Sequence, residues 1–158
     1  MNGQWCPMDE RAGACPMNER LLLLDTHVWV WLMQGEPGHL SKRMHDLIEA
    51  AAARGALRVS VMSVAELACW EAEGRVTLNK DRLAWVREAL ATPGLSLAPL
   101  TPEIAVESSR LPGDFKGDTT DALLVATARR EDMTLVTGDV RLLAYGCEHH
   151  ARTLGACR

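Results

Sequence analysis

The sequence predicts an α/β fold, a three-layer α/β/α sandwich whose central sheet is mostly parallel and has about five strands. Segments typical of strands alternate with segments typical of helices, which is the pattern of parallel sheets covered by helices. The first strand candidate, LLLL, is wholly apolar, as expected for a strand buried on both faces. The length of 158 residues, with 47% hydrophobic and 24% charged residues, fits a single globular domain.

Five segments have the composition of strands. Residues 21–24 form the continuous apolar run, and residues 58–63 alternate between polar and apolar side chains. The other three predicted strands are shorter apolar or β-branched runs at 95–100, 133–139 and 151–156.

Capping residues mark the starts of the helices between these strands. Asp25 or Thr26 caps the first helix, and Ser41 caps the second. Ser63 and Glu66 have the spacing of a capping box, which predicts that the third helix opens after Ser63. Further helices are predicted over residues 81–91, 101–111, 119–132 and 140–146.

The N-terminal segment differs from the rest of the chain. Residues 1–19 combine Gly, Pro and charged residues without helical or strand periodicity, so we expect a flexible extension there. Met17, just before the first strand, is an alternative start of the natural protein. The single folded domain is expected over residues 20–158.

Cysteine usage and the apolar stretches indicate a cytoplasmic protein. The five cysteines are an odd number without a C-x-x-C pair, which is typical of reduced thiols rather than of a disulfide framework. The N-terminus lacks the apolar core of a signal peptide, and Asp25 and His27 interrupt the longest apolar stretch. No membrane association is therefore expected.

The charge balance limits how this protein could bind nucleic acid. The chain has 17 basic and 21 acidic residues, a net charge of −4. This balance excludes a protein that grips nucleic acid by bulk positive charge alone. It does not exclude nucleic acid held through a metal ion, so the positions of the acids matter more than their number.

Several acids follow predicted strands, at the edge of a parallel sheet where functional sites gather. Asp25 and Asp139 end two strands, Glu66 lies in the predicted first turn of the third helix, and Asp118 and Asp121 begin another helix. Clustered carboxylates repel one another unless a cation lies among them, and oxygen ligands suit Mg²⁺ or Mn²⁺. Each acid alone is better explained by helix capping or by the charge of a helix N-terminus, but together they predict a metal site.

At these residues the sequence resembles the PIN-domain family, in particular the VapC-type ribonuclease toxins. LLLLDTHVWVW is similar to the first family motif with Asp25, and SVMSVAELA to the second with Glu66. DALLVATA is similar to the third with Asp121, and TLVTGDVRLLAYG to the fourth with Asp139. In one branch of the family a further acid is usual at the position of Asp118. The resemblance covers residues 21–156.

The resemblance implies a PIN fold and cleavage of single-stranded or loop RNA by water, with Mg²⁺ or Mn²⁺ as cofactor. Asp25 and Asp121 would hold a first metal ion, and Asp139, alone or together with Asp118, would complete a second position. The sequence leaves open whether one ion or two are bound. Glu66 would orient or deprotonate the attacking water. The resemblance also implies a homodimer that is inhibited by a cognate antitoxin protein.

Other polar residues near these motifs are candidates for RNA contacts. Thr26, Thr137 and Lys116 could bind substrate, although the threonines are equally explained as helix caps and Lys116 as solvated surface charge. Trp31 and Trp70, on predicted helices, are candidates for an oligomer surface.

Three alternatives to a toxin remain. The first is a non-toxin PIN nuclease in RNA processing. The second is an aspartyl-phosphate phosphohydrolase, against which His27 occupies the place of the required second Asp and no Lys follows Lys116. The third is a catalytically silent binding module, against which all four motif acids are intact.

Overall fold

The computed structural model describes residues 19–35 and 38–157. The predicted flexible extension therefore lies outside the described residues, except for Glu19, and so does Met17. The elements, in chain order, are β1 (Leu22–Leu24), α1 (Thr26–Gln34), α2 (Lys42–Ala53), β2 (Leu57–Ser60), α3 (Val61–Ala72), α4 (Arg82–Leu90), β3 (Leu95–Ala98), α5 (Pro102–Ser108), α6 (Thr119–Arg130), β4 (Thr134–Thr137), α7 (Val140–Cys147) and β5 (Thr153–Gly155).

The five strands form one sheet in the order β3-β2-β1-β4-β5, and every neighbouring pair is parallel. The α/β fold class predicted from the sequence is thus confirmed. Strand β1 lies at the centre, with Leu24 opposite Val59 of β2 and Val136 of β4. Because all strands run the same way, their carboxyl ends share one edge of the sheet.

Helices cover both faces of this sheet. Leu22 and Leu24 of β1 pack in one cluster with buried side chains of α1, α2 and α4, among them Trp29. Leu23 points the opposite way and packs with α6 and α7 through residues such as Leu124. Alternation along a strand thus sends neighbouring leucines into two different cores, which explains why the β1 run is apolar at every position.

The start of α3 differs from the prediction. Strand β2 ends at Ser60, whose hydroxyl accepts from the Met62 N–H at 3.1 Å and caps the helix. The helix therefore begins at Val61, three residues before the predicted start, and Ser63 is fully buried inside it. Both serines have the side chain of an N-cap, so local sequence could not decide between them. As a consequence, Glu66 lies in the second turn and not in the first.

Within the described residues, no helix is both long and apolar enough to cross a membrane.

Candidate active site

The site lies at the carboxyl edge of the sheet, around the central strand β1. Asp25 follows β1 directly, Thr137 is the last residue of the neighbouring strand β4, and Asp139 lies two residues after it. Helix α3 begins immediately after β2 on the other side and carries Glu66. Helix α6 contributes Asp121 from its first turn.

Asp25 is held rigidly in the interior. Its side chain caps α1, because Oδ1 accepts from the Thr26 N–H at 2.7 Å, and Oδ2 accepts from the Thr137 hydroxyl at 2.6 Å. The residue is only 4% exposed. Burial raises the pKa of Asp25 above its ordinary value, although the nearby His27 and the two hydrogen bonds lower it in part.

His27 lies between Asp25 and the turn after β4. Its Nε2 accepts from the Gly138 N–H at 2.9 Å, and its Nδ1 lies 3.5 Å from Oδ2 of Asp25. The ring thus ties the end of β1 to the turn after β4.

Thr137 connects Asp25 to Asp139. The same hydroxyl that donates to Asp25 accepts from the Asp139 N–H at 2.9 Å. Asp139 in turn caps α7, because its Oδ1 accepts from the Arg141 N–H at 2.7 Å. Hydrogen bonds from the Arg141 side chain hold the pKa of Asp139 below its ordinary range.

Asp118 and Asp121 form a reciprocal capping box at the start of α6. The Asp121 N–H donates to Asp118 Oδ1 at 2.9 Å, and the Asp118 N–H donates to Asp121 Oδ2 at 3.1 Å. The Asp121 side chain is 13% exposed, whereas Asp118 is exposed. Burial raises the pKa of Asp121, and the negative charges of Asp118 and Asp25 raise it further.

Glu66 reaches the same cluster from α3. Burial raises its pKa, the neighbouring Thr26 hydroxyl lowers it in part, and the charges of Asp25, Asp118 and Asp121 raise it again. Acids from four separate parts of the chain thus act on one another electrostatically. Such an arrangement is costly in the charged state unless a cation compensates it.

Sequence reasoning missed Arg141. Its guanidinium donates to both oxygens of Asp139, at 2.6 Å from Nη2 to Oδ2, and also to Oδ2 of Asp121 at 3.3 Å. It also donates to the Lys116 carbonyl at 3.4 Å. The sequence feature that could have indicated Arg141 is its position in the fourth motif, two residues after Asp139.

The donor set fits a hard divalent cation. All acidic side chains of the cluster offer oxygen, which Mg²⁺ and Mn²⁺ prefer. The hydroxyl of Ser63 is buried and has no hydrogen-bond partner among the described residues, so it has an unused oxygen on the same helix as Glu66. The carboxylate oxygens of the four motif acids do not all lie within 4.8 Å of one another. In the described part of the chain, three possible metal-ligating side chains come that close only at His45, Asp46 and Glu49, on the exposed face of α2.

The three candidates for RNA contacts are placed differently from one another. Thr26 and Thr137 are 0% exposed, so neither hydroxyl reaches the surface at which RNA would bind. Both act on the acids instead. Lys116 is exposed on the loop before α6, where its ammonium lies 3.3 Å from a carboxylate oxygen of Asp114.

A cavity of about 340 Å³ adjoins the site through His27. Trp31 and Trp70 line it, and the Arg75 guanidinium lies over the Trp70 ring at 5.0 Å. Trp31 also stacks on His39, with ring centroids 4.6 Å apart. The two tryptophans thus face a concave surface between α1 and the end of α3, and their role in an oligomer stays a prediction.

Comparisons with known proteins agree with this architecture. A family model described as PIN domain matches residues 22–146. Ribonuclease VapC22 of Mycobacterium tuberculosis (strain ATCC 25618 / H37Rv) is 35% identical over 127 residues, which cover 78% of this chain and 91% of the relative.

Two solved structures share the fold at low sequence identity. The structure of VapBC2 from Rickettsia felis bound to a promoter DNA fragment has a TM-score of 0.63 at 16% identity, and covers 85% of this chain and 98% of that chain. The structure of DNA-bound VapBC from Salmonella typhimurium has a TM-score of 0.64 at 14% identity, and covers 87% of this chain and 99% of that chain. The family model and the 35% identical relative together establish that this chain belongs to the PIN-domain family, alongside the VapC proteins.

Proposed function

We propose that this protein is a metal-dependent endoribonuclease of the VapC type, which cleaves single-stranded or loop RNA and acts as the toxin of a toxin–antitoxin pair. The observation that carries the proposal is the convergence of Asp25, Glu66, Asp121 and Asp139 at the carboxyl edge of the sheet. Three of these acids, all except Asp139, have a raised pKa, which marks a cluster built to receive positive charge.

Mg²⁺ or Mn²⁺ is the proposed cofactor. Asp25, Asp121 and Asp139 would hold it, with Asp118 as a further ligand at the edge of the cluster. When bound, the ion would supply charge stabilisation for the scissile phosphate and would lower the pKa of a coordinated water.

The residues of the chain then have distinct tasks. Asp25 is fixed by the Thr26 N–H and the Thr137 hydroxyl, so its carboxylate needs little reordering before it acts. Glu66 lies about half-buried on α3, and its raised pKa suits it to accept a proton from the attacking water. No nucleophilic side chain is needed for attack by water.

The proposed partners extend beyond the RNA substrate. Two of the solved structures with this fold are VapBC complexes, which supports an antitoxin protein as partner. A homodimer is supported by exposed apolar side chains around the edge strand β3 and helix α5, namely Leu97, Leu100 and Val106. The odd number of cysteines supports action in the cytoplasm.

RNA cleavage by purified protein tests the function. Wild-type protein should cleave a fluorescently labelled single-stranded RNA with Mg²⁺ and stop when EDTA is added. Asp25→Asn should lower the rate by at least about a hundredfold, because it removes a proposed metal ligand, while the fold is retained. Asp81→Asn makes the same chemical change at the N-cap of α4 and should leave the rate unchanged.

The outcomes separate the alternatives. Cleavage that persists in Asp25→Asn after removal of contaminating nuclease would contradict the assignment of this site. A folded wild-type protein without activity on any RNA would indicate a binding module. Activity without growth arrest on expression, or arrest that co-expression of a neighbouring small gene does not relieve, would indicate a nuclease of RNA processing.

A further inference from the structure

Arg141 lies across two acids of the site. Its Nη2 is 2.6 Å from Oδ2 of Asp139 and 3.3 Å from Oδ2 of Asp121, and its Nε is 3.2 Å from both oxygens of Asp139. One guanidinium thus donates to carboxylates that come from two different elements, α6 and the turn after β4. Each of these carboxylates is a proposed metal ligand.

The position of Arg141 on its helix is unfavourable by itself. Asp139 is the N-cap of α7, so Arg141 is the second residue of that helix. Cations are disfavoured at helix N-termini, where the macrodipole is positive. The side chain is 54% exposed, so core packing does not explain its placement either. The two carboxylates, together with the Lys116 carbonyl, hold the guanidinium in this place.

The geometry also differs from that of an ordinary surface ion pair. The Asp121 and Asp139 side chains are 13% and 22% exposed, which means that Arg141 reaches from solvent into a partly desolvated cluster. The charges around it are unbalanced, since Asp25, Asp118 and Glu66 lie in the same electrostatic neighbourhood. Arg141 is the cation that the described structure places among them.

We propose that Arg141 is a built-in counter-ion, which neutralises Asp121 and Asp139 in the metal-free protein and competes with a divalent cation for these two carboxylates. This inference rests on the proposed metal-dependent function. It assigns the arginine a role in setting how much free metal the protein needs: the guanidinium must give up its bonds to Asp121 and Asp139 before both can act as ligands.

Metal binding measured without RNA tests this proposal. Mn²⁺ is titrated into the full-length protein by calorimetry at pH 7.5 and constant ionic strength. Arg141→Gln should bind Mn²⁺ roughly five- to tenfold more tightly than wild type, the low end of typical coupling between two ligands. Arg141→Lys keeps the charge but not the planar fork, so its Kd should lie between the two.

Arg152→Gln is the matched control. Arg152 is 49% exposed and pairs with Asp132, but it precedes β5 and lies at the opposite edge of the sheet from the acids. This variant removes the same charge and should keep the wild-type Kd for Mn²⁺ within about twofold, because the carboxylate partner of Arg152, Asp132, is not one of the proposed metal ligands.

A second measurement distinguishes competition between Arg141 and the metal ion from a role of Arg141 in stabilising the fold. With EDTA, Arg141→Gln should melt at a lower temperature than wild type, since two carboxylates lose their counter-ion. Saturating Mn²⁺ should close this difference, because the ion then neutralises them. If Arg141 only supported the fold, the melting temperature of Arg141→Gln would stay below that of wild type even with saturating Mn²⁺.

Each result decides the matter. An unchanged Kd for Mn²⁺ in Arg141→Gln would show that Arg141 forms only a surface ion pair. A higher Kd, that is, weaker Mn²⁺ binding, would show that Arg141 positions Asp139 for the metal. Absence of Mn²⁺ binding in both wild type and Arg141→Gln would also overturn the competition. Normal Mn²⁺ binding and tightening without RNA cleavage would contradict the proposed nuclease function alone.

Discussion

A single hydroxyl links the first and fourth acids of the site. Thr137 donates to Asp25 and accepts from the backbone of Asp139, and it is fully buried. From the sequence, Thr137 looked equally like a substrate contact or a cap. Its burial favours a positioning role, in which it would act on the proposed RNA cleavage through two carboxylates and not by touching the substrate.

Thr137→Val tests this role with a side chain of similar shape. The change leaves the Asp25 carboxylate and the Asp139 N–H without their partner, and a buried unsatisfied group costs about 1–3 kcal/mol. We expect a lower free energy of unfolding, measured by urea denaturation. Mn²⁺ affinity should also fall by roughly ten- to a hundredfold, as for loss of an outer-shell partner.

Thr134→Val is the control for Thr137→Val. Thr134 lies at the other end of β4 and is also buried, but it is far from the carboxyl edge of the sheet. Normal Mn²⁺ affinity in Thr134→Val and in Thr137→Val alike would contradict a positioning role for Thr137.

At the level of elements, helix starts and candidate ligands coincide. Asp25, Asp118 and Asp139 each cap a helix, and Asp121 completes the capping box of α6. The cap and ligand interpretations that the sequence left open therefore do not exclude each other. A carboxylate oxygen that accepts one backbone N–H bond is held in a fixed direction and still has a second lone pair that can face a cation.

Two substitutions of Asp118 separate its cap from its charge. Asp118→Asn keeps the acceptor for the Asp121 N–H and should leave the melting temperature nearly unchanged. It should weaken Mn²⁺ binding by roughly two- to fivefold, since Asp118 is exposed. Asp118→Ala should additionally lose about 0.5–2 kcal/mol of stability with the cap.

The comparison of the two Asp118 variants is internally controlled. If Asp118→Asn binds Mn²⁺ as tightly as wild type while Asp118→Ala is destabilised, Asp118 is a cap alone and the further metal position falls away.

For the whole molecule, three acids of the cluster lower stability as pH rises, whereas the lowered pKa of Asp139 acts in the opposite direction. Asp25, Glu66 and Asp121 have a higher pKa in the folded protein than their ordinary values of 3.8, 4.5 and 3.8. Between the ordinary and the raised pKa the folded state holds more protons than the unfolded chain. The contribution of these acids to stability therefore falls as pH rises through that window and stays low above it.

Divalent metal should reverse this loss at neutral pH. We expect the increase in melting temperature caused by Mg²⁺, relative to EDTA, to be larger at pH 7.5 than at pH 5, because ionised carboxylates bind the ion. Each kcal/mol corresponds to roughly 2–4 °C for a chain of this size. The measurement is thermal unfolding followed by circular dichroism at constant ionic strength.

Asp25→Asn provides the control for the pH series. It removes the most buried acid of the cluster, so the Mg²⁺ effect should become smaller and less dependent on pH. An Mg²⁺ effect that is equal at both pH values in the wild type would argue against a metal site at these acids.

The sequence by itself determined the fold class and the places of the acids. Continuous or alternating apolar runs, separated by helix-capping residues, were enough to predict five strands and to place Asp25 and Asp139 at strand ends. Since parallel strands share their carboxyl edge, the sequence also placed these two acids at the same edge of the sheet. The family resemblance of residues 21–156 added the expected chemistry.

The tertiary structure alone decided which local alternatives were realised. It capped α3 with Ser60 and moved Glu66 into the second turn, since two serines in the same segment offer the same hydrogen bond. It buried Thr26 and Thr137 beneath the acids, and it brought Arg141 to Asp121. The last two features are contacts between residues distant in sequence. Their energies depend on burial and on the electrostatic field of the folded chain, which no local pattern contains.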